Sequence, residues 1–415
     1  MKIAVIGAGA GGLAALRHCL EEGHSCEVFE KTENIGGTWQ YTDKTGVDQY
    51  GLPIHSSMYE GLRTNLPKEL MTYDGFPYTS PDHSYISQPE VLKYIEDFAR
   101  AFNLMPHIKF LTHVEKVSPL PNNRWSIGLL DLQTRETIER EYDAVLVCNG
   151  RCSVPYTPKL PGIDTFKGTV IHSHDYRNPG PYKGKKVLVI GAGPSGVDIA
   201  GIVFNVADKV ILCHRSDISA KSKIPEGVII KPEPIEFKEN SVILKDGSVE
   251  TVNSVIFCTG YSCSYPFLTV DCGIEVDHNW VKYLYKQVIN VKHPTMGFIG
   301  LPIRIFPFVM FGIQVRFFLS YLKGNVAITK EQMLDDIVVQ MSKKAEKGVI
   351  PLQLQAHLLG LDQGDYMDDL AETAKIRKIP QVYIKLYKHV HTVTKGNRDL
   401  SYRIVDDDEF VQIGK

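Results

Sequence analysis

The sequence predicts an α/β fold with two dinucleotide-binding (Rossmann-like) units. Three observations point to it. A glycine-rich loop follows a short β-rich run at the N-terminus, a second such loop follows another near residue 191, and the composition is that of an ordinary globular protein. The 415 residues are 43% hydrophobic and 23% charged, enough apolar chain to bury a core. At ~100–200 residues per domain, that length suits two or three domains. The net charge is −2 with no long basic or acidic block, so no nucleic-acid partner is expected.

In chain order, Lys2–Ile6 reads as a strand, Gly12–Leu20 as a helix and Cys26–Phe29 as a second strand ending at Glu30. Farther on, Gln88–Phe102 reads as a helix, and Asp143–Val147 as a strand that runs into Cys148-Asn149-Gly150. Proline-rich Val154–Gly162 reads as a linker. The β-α-β pattern then recurs: Lys186–Ile190, a loop at Gly191–Gly196, a helix over Val197–Phe204, and a strand over Lys209–Leu212. The strand Val255–Phe257 runs into Cys258-Thr259-Gly260, and the two strand-then-glycine endings suggest where the chain crosses between domains. Ile305–Leu322 is apolar but holds Pro307, Gln314 and Arg316, so it reads as a buried segment and not as a span of ~20 apolar residues; no membrane contact is expected. From Lys330 onward the pattern is mostly helical and amphipathic, with Gly360 and Gly364 as breaks.

The eight cysteines show no C-x-x-C spacing. They read as buried thiols in a reducing cytosol, and neither a thioredoxin-type centre nor a metal site is expected. The apolar N-terminal run has some character of a signal peptide, but its glycine spacing belongs to a nucleotide loop. With a polar C-terminus and no anchor, a cytoplasmic location is expected.

The first loop is Gly7-Ala8-Gly9-Ala10-Gly11-Gly12, followed by Leu13. Gly7 permits the tight turn, Gly9 lets backbone approach a pyrophosphate, and Gly12 lets helix pack on strand. The helix N-terminus offers open N–H groups to the anion. Glu30 lies 23 residues after Gly7, where a carboxylate can accept from ribose hydroxyls and would repel a 2′-phosphate. This unit therefore suits FAD or NAD. The second glycine pair, Gly36-Gly37, followed by Thr38-Trp39, favours the longer FAD. The second loop is Gly191-Ala192-Gly193-Pro194-Ser195-Gly196, leading into Val197, and its strand ends in His214-Arg215. A guanidinium there offers a planar fork to a 2′-phosphate, which selects NADPH. Two such sites in one chain imply that NADPH reduces the flavin.

Three further stretches resemble the flavin-containing monooxygenase family. Phe166, Gly168, His172, Tyr176 and Arg177 match its fingerprint; Cys258-Thr259-Gly260-Tyr261 resembles its T-G-Y element; and Thr64-Asn65-Leu66-Pro67-Lys68-Glu69 resembles its T-N-x-P-K-E region. The likeness reaches to about residue 320, and in length the chain looks more like compact insect-type members, some of which N-oxygenate pyrrolizidine alkaloids such as senecionine. It implies an NADPH domain over 163–282 inserted into a discontinuous FAD domain over 1–162 and 283–415. The implied chemistry is reaction of reduced FAD with O₂ to a flavin hydroperoxide, which oxygenates a tertiary amine or thioether, as in alkaloid detoxification. The resemblance assigns Gly9, Ala10, Gly11, Gly12, Leu13, Glu30, Gly37, Thr38 and Trp39 to FAD. It adds Val114 by its backbone near the adenine, Gln314 against the isoalloxazine, and Thr64 and Asn65 where flavin and nicotinamide meet, with Asn65 as the catalytic residue. Gly191, Gly193, Pro194, Ser195, Gly196, Val197 and Arg215 would hold NADPH, and His172 and Tyr176 would have structural roles. Cys258 departs from the usual Phe or Ala.

Other readings share part of this pattern. A Baeyer–Villiger enzyme usually differs at Tyr176 and Arg177, and an N-hydroxylase differs in substrate. A disulfide reductase needs a cysteine pair near the first loop. A flavin-binding sensor would consume neither NADPH nor O₂. The partners expected are a small amine or thioether and O₂, with a homo-oligomer left open.

Overall fold

Continuous apolar runs such as Lys2-Ile3-Ala4-Val5-Ile6 suit strands buried on both faces, as in parallel sheets flanked by helices. In the computed structural model, which describes residues 1–80, 82–215, 224–348 and 355–413, Ile3, Ala4 and Val5 have no accessible surface. The chain divides into two units: Met1–Gln40, Arg63–Arg151 and Cys263–Lys415 form the first, and Tyr41–Leu62 and Cys152–Ser262 the second.

The first unit is built on a seven-stranded sheet. Five strands run parallel in the order Ile108–Lys109, Ser25–Phe29, Lys2–Ile6, Ala144–Val147 and Met296–Phe298. An antiparallel hairpin, Leu284–Tyr285 and Ile289–Asn290, extends it. The helix Ala10–Glu21 follows the first strand and buries Leu13, Ala14, Ala15 and Leu16. The helix Gln88–Ala101 begins at a capping box in which Ser87 N–H donates to Glu90 at 2.7 Å. Its Tyr94 and Phe98 stack on Tyr73 at 5.8 and 3.7 Å. A three-stranded antiparallel sheet, Thr112–Leu120, Arg124–Asp131 and Thr137–Tyr142, completes this part of the unit.

The second unit holds a five-stranded parallel sheet in the order Ile229–Pro232, Lys209–His214, Lys186–Ile190, Ser254–Phe257 and Thr169–His172. The helix Pro194–Phe204 follows its loop.

The crossings fall at 151/152 and 262/263, directly after the two strand-then-glycine endings, and not at 162/163 and 282/283. The physical reason is pairing. Val154–Pro155 pairs antiparallel with Tyr261–Ser262, which ties the proline-rich stretch to the second unit. Val117 and Phe267 share a backbone hydrogen bond, which ties the chain after Cys263 to the first. Residues 41–62 also belong to the second unit, an excursion the sequence does not announce.

The apolar stretch near residue 310 is a helix, Pro307–Leu322, with proline at its first turn and most of its residues buried. At 16 residues it is ~24 Å long, short of a ~30 Å bilayer core. Among the described residues no helix is long and apolar enough to cross a membrane. Beyond it lie the helices Lys330–Glu346, Gln363–Ala374 and Gln381–Thr392. Gly364 is not a break. It lies inside the second of these, where a Cβ would meet Ile384 at 3.0 Å, so its small size permits close helix packing. The chain then forms a hairpin, Ser401–Ile404 with Phe410–Ile413, in a region expected to be mostly helical.

Candidate cofactor-binding sites

In the first unit the loop sits at the C-terminal end of the central strand, where open α/β sheets bind ligands. Gly7 has φ +98° and faces the Cys148 carbonyl; a Cβ there would lie 2.8 Å from that oxygen. A Cβ on Gly12 would lie 1.8 Å from the Gly7 carbonyl, so only glycine lets the helix start here. The second glycine pair docks on this loop: Gly36 N–H donates to the Ala8 carbonyl at 3.0 Å, and a Cβ on Gly37 would stand 3.0 Å from the Gly9 Cα. No side chain caps the helix at Gly9, so the first-turn N–H groups of Ala10 and Gly11 are left for an anion. Thr38 and Trp39 follow in a partly buried turn whose Trp39 carbonyl accepts from Gln88. Leu13 belongs to the helix core, with no accessible surface.

Glu30 is buried beside the loop. One carboxylate oxygen accepts from Ala8 N–H at 2.8 Å, the other from Thr32 N–H and Oγ1 at 2.9 Å. The oxygen that accepts from Ala8 retains a lone pair for a hydroxyl donor. Val114 is buried in an antiparallel strand where the register shifts before Lys116, which interrupts the backbone ladder. A cavity of about 680 Å³ lies elsewhere in this unit, around Lys2, Ser25, Cys26 and Glu27 at the N-terminal ends of the strands. Rossmann-like sheets bind nucleotides at the other end, so the loop geometry, not cavity size, locates the site.

Thr64 is buried and its Oγ1 accepts from Ile86 N–H at 3.2 Å, while neighbouring Asn65 is exposed. Arg63 secures the same turn by donating to the Tyr85 carbonyl. Lys68 and Glu69, farther along the same segment, form a buried ion pair at 2.7 Å. Gln314 has no accessible surface, so a ligand in the open cradle would feel it only through what it holds. Its Oε1 accepts from Gly300 N–H at 2.9 Å and its Nε2 donates to Tyr366 at 2.9 Å.

The second unit repeats the loop geometry. Gly191 has φ +109° and faces the Cys258 carbonyl as Gly7 faces that of Cys148, and a Cβ on Gly196 would lie 1.7 Å from the Gly191 carbonyl. Gly193 is exposed with open space where a Cβ would go, and no side chain caps the helix that begins at Pro194. Ser195 and Val197 are partly exposed in its first turn. Arg215 stands just past the strand end, its side chain 71% exposed and paired to Glu233 at 3.3 Å. Burial pushes the Cys258 thiol up to about 12, so at neutral pH it is a small inert filler.

His172 and Tyr176 are buried in this unit. Burial pushes His172 down to about 4, and its Nδ1 accepts from His174 N–H at 3.0 Å, so the ring is neutral at pH 7. Tyr176 meets Tyr59 edge-on at 5.5 Å. Arg177 donates to the carbonyls of Lys44, Ser56, His174 and Tyr176 at 2.7–3.1 Å and thereby fastens the 41–62 excursion. Tyr59 adds a 2.6 Å bond to Asp198 on the loop helix. Nothing local in the sequence signals these partners, which lie over a hundred residues apart.

The comparisons with known proteins agree with this geometry. Senecionine N-oxygenase of Tyria jacobaeae is 33% identical over 99% of this chain and 91% of its own. Flavin-containing monooxygenase FMO GS-OX1 of Arabidopsis thaliana is 36% identical over 89% and 84%. The solved S-allyl-L-cysteine S-oxygenase of Allium sativum superposes with a TM-score of 0.87 at 32% identity, over 95% of this chain and 93% of that one. The flavin-binding monooxygenase-like profile matches residues 1–226 and 217–405, and the chain therefore belongs to that family, as an FAD- and NADPH-dependent monooxygenase.

Proposed function

We propose that this chain uses NADPH and O₂ to N-oxygenate or S-oxygenate lipophilic soft nucleophiles, with pyrrolizidine-type tertiary amines as the leading substrate class and detoxification as the role. The observation that carries the reading is the contrast between two like loops. One strand ends in buried Glu30 and the other in exposed Arg215, in a chain that aligns almost end to end with an N-oxygenase.

In this reading the first unit takes FAD. Gly7 to Gly12 and Gly37 to Trp39 surround its pyrophosphate, Glu30 accepts from the ribose, and Val114 meets the adenine. The second unit takes NADPH on Gly191 to Val197, with Arg215 at the 2′-phosphate. The bound flavin supplies the redox and oxygen chemistry. The protein's part is to orient and to exclude water, because an amine or thioether already carries the lone pair that reacts. Asn65, exposed beside buried Thr64, is the side chain free to hydrogen-bond near the flavin. The absence of any disulfide among the eight cysteines suits a cytosolic setting.

The test is product analysis with ¹⁸O₂, NADPH and senecionine. A labelled N-oxide formed one-for-one with NADPH supports the proposal; NADPH oxidation to hydrogen peroxide alone would sink it. A second reading, thioether oxygenation, is favoured by the likeness to the S-oxygenase, and S-allyl-L-cysteine in the same assay separates the two. Conversion of cyclohexanone or free ornithine would instead indicate a Baeyer–Villiger or N-hydroxylating enzyme. A non-catalytic sensor would give no turnover with any of them.

A further inference from the structure

Gly300 follows the strand Met296–Phe298 at the sheet edge that also carries Gly7 and Gly150. It has φ +80°, and a Cβ there would lie 2.7 Å from the Phe311 ring. A Cβ on Gly11 of the first loop would touch both Ile299 and Phe311. Gly300 is thus part of the wall behind the candidate FAD cradle, and its position depends on what accepts its N–H.

That acceptor is the Gln314 Oε1, and the amide is held one way round. Tyr366 has a single O–H, and it donates to the Lys286 carbonyl at 2.7 Å. Toward Gln314 the same oxygen can only accept, so the Gln314 NH₂ must face Tyr366 and its oxygen must face Gly300. Lys286 is itself pinned. It is buried at φ +46°, in the turn of the Leu284–Asn290 hairpin, with its ammonium 2.5 Å from Asp369 and 3.5 Å from Asp336. Reversal of the amide would set its NH₂ against the Gly300 N–H with no acceptor between them, and its oxygen against the Tyr366 oxygen, whose hydrogen is already given to Lys286.

We infer that Gly300–Gln314–Tyr366–Lys286 is a directional hydrogen-bond relay that sets the wall of the flavin site, with Gln314 and Tyr366 as positioning residues. The inference rests on the reading of the first unit as the FAD site. It also replaces direct contact of Gln314 with the isoalloxazine by an action through Gly300. No group in the relay changes protonation or touches the substrate.

The test is FAD release on dilution of the holoenzyme, followed by flavin fluorescence, beside thermal melting. Loss of one relay bond is worth ~1–1.5 kcal/mol, so Gln314→Met and Tyr366→Phe should each raise the Kd for FAD about five- to tenfold. The double variant should be no worse than the weaker single, because either change breaks the same relay. Gln363→Met is the control. Gln363 is as buried, and its amide joins Phe306 N–H to the Gly360 carbonyl without touching Gly300. It should lower the melting temperature yet leave the FAD Kd within about twofold. Unchanged FAD affinity in the relay variants, or additive effects in the double, would overturn the inference. Tyr366→Phe removes only a hydroxyl and decides the matter alone if Gln314→Met does not fold. The titration needs no substrate, so failure to N-oxygenate leaves it intact, whereas a wild type that binds no FAD would overturn the cofactor reading itself.

Discussion

Removal of the Arg215 guanidinium tests how the second unit reads its nucleotide. The side chain is 71% exposed and its Nε lies 3.3 Å from Glu233, which also holds Lys245 at 2.9 Å. A 2′-phosphate arriving at Arg215 therefore meets two cations and one carboxylate that repels it. A hydrogen bond to a charged group is worth ~1.5–3 kcal/mol, and exposure with competition from Glu233 puts this one near ~1.5, about tenfold. Arg215→Ala should raise KM for NADPH by that factor and leave KM for NADH within about twofold. Glu233→Gln should act in the opposite direction. A unit charge ~4–8 Å away in water contributes ~0.5–1 kcal/mol, so KM for NADPH should fall about two- to fivefold. The assay is anaerobic flavin bleaching against nucleotide concentration at ~10 mM and ~150 mM salt, where screening lengths are ~30 Å and ~8 Å. The NADPH preference should shrink at the higher salt. Equal shifts for both nucleotides in Arg215→Ala, or weaker NADPH use in Glu233→Gln, would refute the assignment.

Asn65→Ala should keep FAD but lower oxygenated product per NADPH, with hydrogen peroxide rising in step; an unchanged ratio would remove Asn65 from the mechanism. Gly193→Ala and Gly196→Ala should part company. The first fills open space in an ordinary backbone region, so NADPH affinity falls with the melting temperature unchanged, while the second drives a Cβ into the Gly191 carbonyl and unsettles the unit itself. Arg177→Met, which takes a charged donor away from four carbonyls, should destabilise the protein by ~3 kcal/mol and expose residues 41–62 to protease before the sheets unfold. Stability should also fall as pH drops. His172 and His357 are held neutral by burial, down to about 4 and about 3, so the unfolded chain binds the extra protons. Their contribution is complete above ~6.5 and is lost as pH falls toward those values, and melting curves should be flatter across that window for His172→Gln.

The nucleotide loops were legible in the sequence because their constraints are local. A Cβ on Gly12 or Gly196 would strike a carbonyl only five residues back, and Glu30 and Arg215 stand one strand farther on. The strand-to-glycine endings were legible for the same reason, and they mark where the chain crosses between units. Other features needed the folded chain. Arg177 reaches carbonyls more than 120 residues upstream, so the allegiance of residues 41–62 was invisible in any window. The terminal hairpin resisted reading because its strands are four residues each, too short for periodicity to separate them from the helical pattern before them. Gln314 was assigned to the flavin by resemblance, but only the fold shows that both ends of its amide are occupied, by Gly300 and Tyr366. Sequence determined where the two glycine loops and the strand ends at Glu30 and Arg215 lie, since helix starts and strand ends are written in neighbouring residues. Tertiary structure decided what holds those places in register, since a buried donor finds its acceptor through space and not along the chain.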